Sequence, residues 1–144
     1  MGCDIHLHVE IKVADKWEHY AAPNINRSYK LFEKMAGVRG FLINAIIAPK
    51  GLPEDLNIIT RKSADYWKVD GHSWSWLNLE EISILSDWLG ELGKKEERDF
   101  LKYDLEHSIL HTYCEGNSFG GLFKYPDEKP EWIEDVRFVF WFDN

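Results

Sequence analysis

The sequence predicts an α+β fold: an antiparallel sheet that includes an N-terminal hairpin and the C-terminal strand, with two or three helices packed on one face. Three observations predict it. Residues 3–13 alternate strictly, with Cys3, Ile5, Leu7, Val9, Ile11 and Val13 on one side and Asp4, His6, His8, Glu10 and Lys12 on the other. That is the period of a strand with one covered face. The chain closes on "DVRFVFWFD", where Val136, Phe138, Phe140 and Phe142 alternate in the same way. Between the two ends, apolar residues recur at helical intervals. The whole chain, 1–144, reads as a single domain by its length.

The elements follow in order. After residues 3–13, "ADK" turns the chain and "WEHY" returns it, so residues 3–20 form a hairpin. "SYKLFEKMAG" is a short helix with Leu31, Phe32 and Met35 inward, closed by Gly37. "GVRGFLINAIIAPKGLPEDL" is an apolar run passing into loop, punctuated by Pro49, Gly51 and Pro53. In "DGHSWSWL" an Asp-Gly turn leads into an alternation that sets His72, Trp74 and Trp76 together. "NLEEISILSDWLGEL" carries Asn78 and Glu81 at capping-box spacing, then Ile82, Leu85, Trp88 and Leu89 on a helical stripe. A further helix is expected over about 95–114, with Leu101, Leu105 and Ile109 on one stripe, followed by a loop. The last strand is expected beside the first or in the centre, because so aromatic a strand on an open edge would invite aggregation.

Charge and composition narrow the functions. The net charge of −8 is uneven: residues 1–72 carry a net +1 and residues 73–144 a net −9. An acidic half argues against direct docking on nucleic-acid phosphates, which needs clustered Lys and Arg. It suits a solvated surface, or steering towards a basic protein. No apolar run reaches membrane-spanning length, and the N-terminus lacks the pattern of a signal peptide. "MGC" invites acylation, but the myristoylation pattern wants Ser or Thr where His6 stands. Two cysteines give no disulfide framework. These features point to the cytoplasm.

Candidate chemistry begins at "DIHLHVE". Alternate strand residues project side by side about 7 Å apart, so His6 and His8 share a face with Asp4 and Glu10. Imidazole and carboxylate are the donors that zinc and manganese sites use; the competing reading is an ordinary solvent-exposed polar face. A barrel amidohydrolase, which the D-x-H-x-H spacing also suggests, needs roughly 250 residues. A second cluster, Asp104, His107, His111 and Cys114, occupies one face of the expected 95–114 helix, again open to a metal or a surface reading. His72, Trp74 and Trp76 could stack a base or sugar, or form core around a turn. Arg39, with Arg61 and Lys62, could meet phosphate. No P-loop, dinucleotide fingerprint or G-x-S-x-G elbow is present.

The chain resembles a family of small uncharacterised proteins from bacteriophages and bacterial genomes. The resemblance lies in the N-terminal "MGCDIHLHVE", in "AGVRG" with the following "PKGLP", in "HSWSWL" and in the closing "VRFVFWFDN", and so spans nearly the whole chain. Its motif positions are Cys3, Asp4, His6, Arg39, His72, Asp143 and Asn144. It implies a phage context, the host cytoplasm, and work of the kind small phage accessory proteins do, counter-defence included; it implies no reaction.

Three functional readings stand. In the first, a nucleotide or other phosphorylated small molecule binds where the first strand, "HSWSW" and the C-terminus meet. Asp4, His6 and His72 then act as catalytic residues or hold a divalent metal, zinc or manganese, for hydrolysis; Arg39, Trp74, Trp76 and Asp143 bind the ligand. In the second, the acidic half inhibits a host defence or nucleic-acid enzyme, in the manner of an anti-CRISPR or DNA mimic. The third is a phage structural protein without a site. Self-association is left open.

Overall fold

A computed structural model describes residues 2–25, 27–95 and 131–144, with 90 and 92–95 as backbone only. Among these residues the order is β1 (Asp4–Val13), β2 (Lys16–Ala21), α1 (Tyr29–Ala36), α2 (Ile58–Tyr66), β3 (Gly71–Leu77), α3 (Leu79–Lys95) and β4 (Asp135–Asp143). Residues 96–114, where the sequence predicts a further helix, with Asp104, His107, His111 and Cys114, lie outside the described residues. No helix of the described residues is long and apolar enough to cross a membrane.

The four described strands form one antiparallel sheet in the order β2-β1-β4-β3. The first and last strands are therefore neighbours at its centre, in register from Asp4 opposite Asp143 to Lys12 opposite Asp135. The aromatic strand β4 has no open edge, as its composition required. The hairpin closes through two residues, Ala14 (φ 48°) and Asp15 (φ 64°), with Val13 opposite Lys16. Both turn residues have positive φ, the geometry whose twist matches that of a hairpin.

The apolar side of β1 meets Val136, Phe138, Phe140 and Phe142 of β4 and Leu77 of β3. Two helices cover that side. α1 contributes Leu31, Phe32 and Met35, and α3 contributes Ile82, Leu85 and Leu89. α1 starts at Ser28, whose side chain accepts from the Leu31 amide, and stops at Gly37 in the left-handed conformation (φ 73°). A Cβ at Gly37 would lie 2.8 Å from the Leu42 backbone, so the stop needs glycine on two counts. α3 opens on the expected capping box: the Asn78 amide donates to Glu81 and the Glu81 amide to Asn78, 2.9 Å each.

α2 is the element that positions the site. It lies on the opposite, polar side of the sheet, where Ala64 packs against Val139 and Trp141 of β4. Asn57 caps it by accepting from the Ile59 amide, and donates to the Trp17 carbonyl of β2. Its inward residues are Thr60, Ser63 and Ala64, with Trp67 just beyond its end: the i, i+3, i+4, i+7 stripe of a helix face. That stripe is small and polar because it meets the polar side of β1.

Candidate functional site

The three middle polar residues of β1, His6, His8 and Glu10, each meet their own partner on α2 or just beyond its end. Thr60 donates to Glu10 at 2.5 Å, Ser63 lies 3.1 Å from His8, and Trp67 stacks over His6 with ring centroids 4.1 Å apart. His8 is only 7% exposed and Glu10 is fully buried. The middle of the polar side of β1 is thus an interior layer, while Asp4 at its end stays exposed. Glu10 is balanced by Arg137, its cross-strand partner, at 2.7–2.9 Å, and Arg137 also reaches Asp55. The Arg137 guanidinium holds the Asp55 carboxyl below its usual range. It also lies 4.0 Å over the Trp17 ring, in the wall of a cavity of about 660 Å³ between Trp17 and Trp76.

At the other end of this layer His6 Nε2–H donates to Asp143 Oδ2 at 2.5 Å, both side chains being three-quarters or more buried. Trp141 stacks on the same imidazole from within the sheet. The bond to Asp143 favours the His6 tautomer protonated at Nε2 and leaves Nδ1 with no partner among the described residues. Asp4, opposite Asp143, is held by both arms of Arg27 at 3.0 Å, and that guanidinium lowers its pKa. Arg39 bonds to the thiol of buried Cys3, and its guanidinium lies 5.4 Å over Tyr29; Tyr29 in turn accepts from the Cys3 amide. Burial pushes the Cys3 thiol pKa up against the opposing pull of Arg39.

His72 takes a different position from the one its spacing suggests. Regular alternation would set it beside Trp74 and Trp76. The register of β3 slips between His72 and Ser75, where Ser73 has a φ of 56°. This bulge adds one residue and reverses the facing beyond it. His72 therefore lies opposite Phe142 and stacks on it, on the apolar side, while Trp74 packs on Trp141 and Trp76 lies opposite Val139, on the polar side. His6 lies opposite Trp141. Since Trp141 and Phe142 are consecutive on β4, His6 and His72 project from opposite faces. His72 bonds instead to Ser73 and Asn144. The two indoles also have partners of their own, Trp74 against Trp141 and Trp76 beneath Lys50 at 3.8 Å.

The register nevertheless draws every resemblance-motif residue except Arg39 to one end of the sheet, with Asp4, Asp143 and Gly71 in one row across β1, β4 and β3; Arg39 joins them through Cys3. Asp4, His6 and His72 do not converge on a point, and among the described residues no three His, Cys, Asp or Glu side chains are placed to hold a metal ion. Ser63, Trp67, Arg27 and His19, none of which sequence reasoning singled out, complete the polar layer or its rim. The available signal was the small polar stripe Thr60–Ser63–Ala64, which matches the polar alternation of β1.

The acidic half is partly committed. Glu81 pairs with Lys50 at 2.5 Å besides capping α3, and Glu134 accepts from the Asp15 amide. Glu80, Asp87, Glu91 and Glu131 are exposed, whereas Glu96, Glu97, Asp127 and Glu128 lie outside the described residues.

The fold and its polar layer define a small α+β protein with a carboxylate-oriented histidine at the end of a four-stranded sheet. No protein-family model, no curated protein and no solved structure matches the chain.

Proposed function

We propose that the protein binds a phosphorylated small molecule, a nucleotide in the first instance, at the sheet end formed by residues 3–6, 27, 39 and 143. There His6 acts as the acid–base group and Asp143 orients it. The observation that carries this reading is the His6–Asp143 bond. A carboxylate on one imidazole nitrogen leaves the other poised to take a proton from water or return one to a leaving group. Trp67, 4.1 Å from His6, shelters the ring, and Arg27 and Arg39 bring positive charge to the same end. In hydrolysis, His6 Nδ1 removes a proton as water attacks phosphorus. The new P–O bond forms, the bond to the leaving oxygen breaks, and the imidazolium returns the proton to that oxygen. A divalent ion, zinc or manganese, would be held by His6 Nδ1 and the phosphate in place of the acid–base role of that nitrogen, and would supply Lewis-acid polarisation of the phosphate.

The test uses protein purified without a histidine tag. Bound metal is measured by elemental analysis, nucleotide binding by calorimetry, and cleavage by phosphorus NMR. Binding is expected to survive Asp143→Asn, while cleavage falls about 10²–10⁴-fold in His6→Ala and Asp143→Asn. A nucleotide panel that shows no binding, or turnover unchanged in His6→Ala, removes the reading.

A further inference from the structure

The polar layer contains a second arrangement that the His6–Asp143 pair does not use. His8 is engaged at both ring nitrogens: Ser63 Oγ of α2 lies 3.1 Å from Nε2, and His19 Nε2 of β2 lies 2.9 Å from Nδ1. Three elements thus place a hydroxyl, an imidazole and a second imidazole in line. A nucleophile within hydrogen-bond reach of a base, with the base oriented by a third group, is the geometric signature of nucleophilic catalysis wherever it occurs. We propose that Ser63, His8 and His19 form a nucleophilic relay in which Ser63 Oγ attacks small carboxylic esters.

The proton inventory sets the direction of the relay. For Ser63 to donate, His8 Nε2 accepts, Nδ1 carries the hydrogen, and His19 Nε2 accepts that hydrogen in turn. His8 is buried among His6 on its own strand, the Trp141 ring of β4 at 5.2 Å, His19 and Ser63. None of these is a carboxylate, so a positive charge left on His8 would be poorly housed. His19 is better placed: it is half-buried on the edge strand and faces Glu10 across the β1–β2 ladder. A proton leaving Ser63 therefore passes through His8 and comes to rest on His19. Ser63 itself is partly exposed.

A second observation points the same way. Trp141 Nε1–H is buried and has no hydrogen-bond partner among the described residues. A buried donor left unpaired costs on the order of 1–3 kcal/mol, and this one belongs to the ring stacked on His8. It is a fixed, water-excluded donor in the same layer as the relay, the kind of group that stabilises a developing oxyanion.

The step balances without any group beyond water. Ser63 Oγ forms a bond to the carbonyl carbon, and the carbonyl electron pair moves onto oxygen. Collapse of that intermediate expels the alcohol oxygen, which takes its proton from His8 as His19 returns one to His8. Water then repeats the sequence on the acyl-Ser63 ester. The products are a carboxylic acid, an alcohol and the regenerated serine.

The experiment treats the full chain with an alkyl fluorophosphonate, which forms a P–O bond to an activated serine and expels fluoride. Intact mass and peptide mapping follow, with p-nitrophenyl acetate turnover measured in parallel. One label per chain is expected, located on Ser63, absent in Ser63→Ala and at least tenfold slower in His19→Gln. Circular dichroism confirms that both variants fold. Labelling that Ser63→Ala leaves intact, labelling spread over surface serines, or none at all on the wild-type chain overturns the relay. The assay contains no phosphorylated ligand, so its outcome is independent of the reading at His6.

Discussion

At the scale of single residues, burial of His8 makes a measurable statement about pH. Desolvation, followed by the neighbouring His19 and His6, lowers its pKa from 6.5 to about 4, and His19 shifts in the same direction. The native state thus binds fewer protons than the unfolded chain between those two values, and stability rises with pH there. The contribution is complete above about pH 6.5 and is lost as pH falls towards 4. For His8 alone the loss between pH 7 and pH 5 is about 2 kcal/mol. Urea midpoints at the two pH values should differ accordingly, and the His8 ring protons should titrate near pH 4 by proton NMR. A midpoint that does not move, with His8 titrating near 6.5, would mean that the ring is not buried as described. Glu10 poses the charged version of the same problem. It is fully buried and held by Arg137, Thr60 and the Asn57 amide. Glu10→Ala leaves Arg137, 4% exposed, without its main counter-charge and should cost about 3–5 kcal/mol. Replacing both with Met should recover a large part of that loss, because the pair offsets its own desolvation. A double variant no more stable than Glu10→Ala would count against the ion pair as the cause.

At the scale of elements, the hairpin turn offers the cleanest experiment. Ala14 is exposed and adopts φ 48°, a region that costs a β-carbon roughly 1–2 kcal/mol and that Asn and Gly tolerate. Ala14→Asn should raise stability by about 0.5–1 kcal/mol, visible as a higher melting temperature. A lower one would show that the turn is held by something other than its own dihedral angles, such as the Glu134 carboxylate on the Asp15 amide. The hairpin, α1 with its Gly37 stop, α3 with its capping box and the central place of β4 were all legible in the sequence. Each is written in local terms: a period, a cap or an edge to be hidden. α2 was not legible. Its stripe of Thr60, Ser63 and Ala64 carries little apolar signal, because it complements the polar side of β1 and not the core. For the same reason the histidines of β1 read as solvent-facing when considered alone. The pairing of His6 with Asp143 follows from register, which brings residue 4 opposite residue 143 and has no local signature. His72 was misplaced by a bulge at Ser73, and a non-glycine residue at positive φ cannot be seen in the letters.

At the scale of the whole molecule, the two strands at the ends of the chain pair at the centre of the sheet, and this sets how the protein folds. Lys12 pairs with Asp135 and Asp4 with Asp143, so the central ladder closes a loop of more than about 120 residues. Closure entropy grows as (3/2)RT ln n, and topologies dominated by such distant contacts fold slowly. Both faces depend on this ladder: Phe138, Phe140 and Phe142 on the apolar side, Arg137, Val139 and Trp141 on the polar side. Neither layer can be finished before residue 143 has arrived. The remedy is topological. Residues 2 and 144 lie at the same end of the sheet, so a short linker from Asn144 to the N-terminus turns β4 and β1 into a hairpin. New ends can be opened between Ile47 and Ala48, both exposed. Shortening the loop from about 120 residues to about 5 lowers the closure cost by about 3 kcal/mol. If the β1–β4 ladder is formed in the transition state, stopped-flow refolding should accelerate by up to about 100-fold, with unfolding nearly unchanged. Equilibrium stability should then rise by the same free energy. A permutant that refolds at the parental rate but unfolds more slowly would place ladder formation after the barrier. One that is less stable than the parent would show that residues 41–50, between α1 and the β3 contact of Lys50 with Ser75, hold the two layers together more than the central ladder does.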